Sequence, residues 1–162
     1  MRQIILGVIS AVFITAMPVS TAAAADTVVT CKDPQGFANF HHAGLLPKEK
    51  SGFREDQITG SLTTLVRTGQ GDYDLLYIDS RQEIISSRHA GGEVRLLRKG
   101  KNDATFMVFY PGTVIELYTF YKDASGNEKF DTVTSRGGDE MPIHKSSLMT
   151  GNCSGLDLKL LD

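Results

Sequence analysis

ATFMVFYPGTVIELYTFY, residues 104–121, is the stretch that decides the fold. Two runs of β-branched and aromatic residues flank the turn signal Pro111-Gly112, and neither has the 3.6-residue spacing of an amphipathic helix. In the first run Phe106, Val108 and Tyr110 share one face, while Met107 and Phe109 take the other. A strand with one wet face would alternate with polar residues. The pair is therefore either central and buried on both sides, the ordinary setting for such residues, or part of a barrel with an apolar lumen.

The second run contains an exception. Val114, Glu116, Tyr118 and Phe120 fall on one face, so a carboxylate stands among apolar and aromatic neighbours. Such a group must be paired, protonated or at a solvated edge. A two-residue connection at Pro111-Gly112 sets Met107 opposite Glu116, and a three-residue one sets Phe106 there. Arg95 or Arg98 on the preceding run is the expected ion-pair partner. Glu116, Arg98 and Tyr118 are thus the candidate binding residues, with a structural ion pair as the plainer reading.

Working outward, the same texture recurs. Residues 27–31 (TVVTC), 58–68 (ITGSLTTLVRT), 73–78 (YDLLYI), 83–88 (EIISSR), 93–99 (EVRLLRK) and 129–135 (KFDTVTS) read as strands. Residues 37–42 are a weaker strand, and 43–56 (AGLLPKEKSGFRED) a loop broken by Pro47 and Gly52. Within 58–68, Ile58, Gly60, Leu62, Thr64 and Val66 share a face. After Gly137-Gly138 the signal weakens, and residues 155–161 (GLDLKLL) offer a closing strand. The expectation is an all-β fold, an antiparallel meander of about eight short strands in a curved sheet, sandwich or small barrel.

The start of the chain has the layout of a secretory signal. Arg2 precedes the apolar residues 4–19 and a small-residue stretch, 20–25 (STAAAA), in which Ala23 and Ala25 give the pattern signal peptidase needs. The apolar run is shorter than the roughly 20 residues that span a bilayer, so cleavage before Asp26 is expected rather than an anchor. Residues 1–25 are then a leader, and residues 26–162 form one exported domain, periplasmic or extracellular, with no membrane span. That domain holds 16 basic and 19 acidic residues, a net charge of −3, and no basic stripe for nucleic acid. In an oxidising compartment Cys31 and Cys153 have only each other, so one disulfide is expected between the ends of the domain.

Catalytic and metal motifs are missing from the sequence. His41 and His42 are adjacent and point to opposite faces of a strand, and no metal-ligand spacing involves His89 or His144. Asp72, Asp74 and Asp79 lack the loop pattern of a calcium site and read as turn residues. Ser86, Ser87 and His89, or His144, Ser146 and Ser147, are neighbours in sequence without a triad motif. No metal and no cofactor is expected. Two cysteines at opposite ends of a β meander give a layout that resembles small periplasmic inhibitors of cell-wall lytic enzymes. No inhibitor motif matches residue by residue, so the resemblance implies no site residues. The sequence points to a small exported binding or interaction module for an envelope component, a small ligand or a protein. The alternatives are inhibition of a cell-wall lytic enzyme and a small hydrolase using Glu116 with an adjacent histidine or arginine.

Overall fold

The computed structural model describes residues 25–69, 71–78 and 81–162, so the expected leader lies outside the described residues except for Ala25. Ten strands follow in chain order: β1 (Asp26–Gly44), β2 (Gly52–Gln57), β3 (Leu62–Gly69), β4 (Asp72–Ile78), β5 (Ile84–Ser86), β6 (Glu93–Lys99), β7 (Asp103–Tyr110), β8 (Val114–Lys122), β9 (Glu128–Arg136) and β10 (Ile143–Ser154). The all-β antiparallel expectation holds. All pair antiparallel in the order β5-β4-β3-β1-β10-β9-β8-β7-β6, with β2 alongside the second half of β1. The sheet curls on itself into a half-barrel. Tyr73 of β4 packs edge-on against Phe106 of β7, 5.1 Å between ring centres, although these strands stand near opposite ends of the order.

The curl settles how 104–121 can be apolar on both faces. Phe106, Val108, Tyr118 and Phe120 point into the lumen and are buried. The other face is the outside of the half-barrel. Across five adjacent strands Phe37, Leu148, Val133, Leu117 and Met107 stand in one row there, and Phe37, Leu148 and Val133 are exposed. Burial on both sides is thus not the arrangement.

β1 is far longer than the short strands expected, 19 residues, and carries the architecture. Residues 27–31 and 37–42 are its two halves. They are joined through a register shift between Lys32 and Gln35, where Asp33 takes a positive φ of 50° and Pro34 removes a backbone donor. The first half pairs with β3 and the second with β2, while β10 spans both. Cys31 faces Cys153 directly across β1 and β10 and the two form the expected disulfide.

Three expectations need correction. Residues 52–57 lie in the stretch read as a loop, yet they form β2; their exposed, charged sequence suits an edge strand. The closing strand is β10, whereas Leu158–Leu161 is a 3₁₀ turn begun by Asp157, whose carboxylate accepts from Lys159 N. In β3 it is Thr63 and Leu65 that are buried along with Val66, because apolar residues occupy both parities of that strand.

Candidate functional site

The strand register builds the lumen in layers. The outermost is Tyr110, Val114, Arg136, Lys145 and Phe40, each opposite the next on β7, β8, β9, β10 and β1. Beneath it lie Val108, Glu116, Thr134, Ser147 and Ala38, then Phe106, Tyr118, Thr132, Met149 and Gly36. The floor is aromatic. Phe120 and Phe130 stack 6.2 Å apart, and Tyr118 lies nearly parallel to both. Gly151 leaves space beside the Phe130 ring that a Cβ would fill. The result is a cavity of about 450 Å³ with an open mouth, within the usual size range of small-molecule sites.

Its walls differ in chemistry. The β8–β10 side presents Glu116, Tyr118, Thr132, Thr134, Arg136, Lys145 and Ser147. The β3–β4 side presents Leu62, Ile78 and Tyr77, with Ile58 and Pro34 beside them.

Among the described residues Glu116 is the one acid in the lining. The three-residue connection 111–113 pairs Tyr110 with Val114 and sets Val108 opposite Glu116, not Met107 or Phe106. Adding a residue to the connection moves the partner toward the turn, which accounts for the difference. Tyr118 Oη donates to Glu116 Oε2 at 3.0 Å. Burial raises the Glu116 carboxyl above its ordinary value, and the Tyr118 bond and the charges of Arg136 and Lys145 offset this only in part. Burial likewise pushes the Tyr110 phenol up to about 12, helped by Tyr77 and Glu116, and raises the Tyr118 phenol well above its ordinary value. Both phenols are therefore protonated hydrogen-bond donors at neutral pH.

The cations differ in their commitments. Lys145 Nζ is held 2.9 Å from Asp56 Oδ2, a half-buried pair, and lies over the Phe40 ring that Arg54 also covers. Among the described residues Arg136 has no close ion pair, and it feels Glu116 diagonally across the β8–β9 ladder. Two hydroxyls in the lining, Ser61 Oγ and Thr132 Oγ1, are shut off from solvent without a well-formed hydrogen bond. Thr132 lies beside Tyr118, close enough to ease that phenol's shift slightly.

Of the sequence candidates, Glu116 and Tyr118 come together and Arg98 does not. Arg98 lies on the outside of β6, 2.5 Å from Asp103 and bonded to Thr105, and Arg95 is taken by Glu93. The neighbouring strand β9 supplies the nearby charge instead, through Arg136. That residue was missed because it sits at the end of KFDTVTSR, and only the register places it on the lumen face.

Other clusters resolve as structural. Asp74 accepts from Leu75 N, Ser86 Oγ and Arg88 N, which ties the β4–β5 connection together and uses its oxygens. Asp79 lies outside the described residues. Among the described residues no three His, Cys, Asp or Glu side chains converge on a metal position. No histidine lines the lumen: His42 bonds Leu46 O and His41 contacts Ser146. Among the described residues no helix is long and apolar enough to cross a membrane.

No protein-family model matches this chain, and no curated protein or solved structure matches it either. Its function has to be argued from the lumen.

Proposed function

We propose that the protein is an exported binding module that holds a small, partly apolar ligand in the lumen of the half-barrel. The observation that carries this is the lining itself. An open cavity of about 450 Å³ keeps Thr132 Oγ1 and Ser61 Oγ buried and unbonded, next to a carboxyl whose burial opposes its ionisation. A buried polar group without a partner costs about 1–3 kcal/mol, and two such hydroxyls in the wall of one open cavity suit an occupant that satisfies them. Export is supported by the leader-like residues 1–25 and by a disulfide that suits an oxidising compartment, periplasmic or extracellular.

Titration with the neutral fluorophore N-phenyl-1-naphthylamine tests the reading. Saturable binding is expected, and Thr134→Trp, which fills the second layer of the lumen, should remove it while near-ultraviolet dichroism stays native. Unsaturable binding, or binding indifferent to Thr134→Trp, would place the dye outside the lumen and end the proposal.

A further inference from the structure

Resting on that reading, we infer that the lumen selects an amphipathic acid, whose carboxylate is held at the mouth by Arg136 and whose apolar body lies along the β3–β4 wall. The polar wall is a donor surface. Arg136, Ser147, Thr132 and Thr134 can donate from this wall, with Tyr110 of β7 beside it, whereas the only carboxylate in the lining among the described residues already accepts from Tyr118. A ligand complementary to such a wall supplies acceptors.

Charge narrows the class. Lys145 is neutralised by Asp56, so it neither demands nor repels a ligand charge strongly. Arg136 stands in the outermost layer with no close ion pair among the described residues, and its planar fork matches a carboxylate in two parallel hydrogen bonds. An ammonium ligand would have to pass Arg136 to reach Glu116, a carboxyl that already accepts from Tyr118. A neutral alcohol would leave Arg136 unmatched.

The opposite wall fixes the rest of the ligand. Leu62, Ile78 and Ile58 line the β3–β4 side, with Met149 and the Phe130 ring below. These surfaces bury a short alkyl or aryl body. Depth agrees with this polarity. The charged layer is at the mouth and the aromatic floor lies three layers further in, so an acid enters tail first and keeps its head near water.

The test is displacement of N-phenyl-1-naphthylamine by three ligands of equal chain length: decanoate, decan-1-ol and decylamine, at pH 7.5. Decanoate should compete at least about tenfold more tightly than the alcohol or the amine, the range of one charge-assisted contact. In Arg136→Gln this preference, taken as the ratio of decanoate to decan-1-ol competition within the variant, should shrink to less than about threefold. Equal competition by all three ligands, or a preference that survives Arg136→Gln, overturns the acid assignment while leaving the lumen site standing. Failure of the fluorophore to bind saturably overturns both.

Discussion

At the scale of single residues, Glu116 is a carboxyl that the fold buries beside the Tyr118 phenol. Its place among Val114, Tyr118 and Phe120 marks it as anomalous without any coordinates. The identity of its partners was not readable, because cross-strand neighbours depend on the length of the 111–113 connection, and the charge that reaches it comes from β9. Two substitutions separate its roles. Glu116→Ala takes the acceptor from Tyr118 Oη, which is buried, and should be less stable than Glu116→Gln by about 1–3 kcal/mol, since glutamine keeps an acceptor there. The pH response has a definite sign. The folded protein binds the Glu116 proton more tightly than the unfolded chain, so this group costs nothing below the ordinary value of 4.5 and weakens the fold as pH rises through its elevated folded value. Urea midpoints of wild type and Glu116→Gln should therefore converge in acid and separate in favour of glutamine as pH rises. A difference that stays constant with pH would mean that the carboxyl titrates alike in both states.

At the scale of elements, the strands with an apolar inward face were legible and β10, with a polar inward face, was not. β7 and β8 follow directly from period-two alternation over aromatic residues. β10 does not, because its lumen positions are Lys145, Ser147, Met149 and Gly151, chosen for a polar wall and for room beside Phe130. β2 carries charge because it is an edge. Yet β10 and its partner β1 are the elements the chain has locked covalently. Cys31 and Cys153 are 122 residues apart in sequence and directly opposed in register, so their bond closes nearly the whole domain into one loop. Replacing both cysteines with serine should cost roughly 2–5 kcal/mol in urea unfolding, and the denatured, unreduced wild type should show no titratable thiol. A loss well under 1 kcal/mol would mean that the β1–β10 ladder alone already sets the register.

At the scale of the whole molecule, the half-barrel is a ring of ladders with a seam. β1, β10, β9 and β8 are each paired on both sides, whereas β6 has a ladder only with β7, and β5 only with β4. Across the seam the two ends of the sheet meet through packing of the Tyr73 ring on Phe106, and the turn that joins β5 to β6 is closed by Gly92 N donating to Ser87 O at 2.8 Å. Packing without a ladder opens more easily than a ladder, so local fluctuations should begin there. The seam also borders the mouth, since Tyr77 and Tyr110 stand on its two sides and both line the cavity. Hydrogen exchange should therefore be slowest in β1, β9 and β10 and fastest in β5 and β6, and a lumen ligand should slow β5 and β6 most. Tyr73→Ala removes the ring that bridges the seam. It should cost roughly 3–5 kcal/mol, as large aromatic truncations in cores do, and should speed exchange in β6 far more than in β9. Equal acceleration in both strands would mean that the sheet opens as one cooperative unit, and that a ligand must reach the lumen through a mouth that is already wide enough.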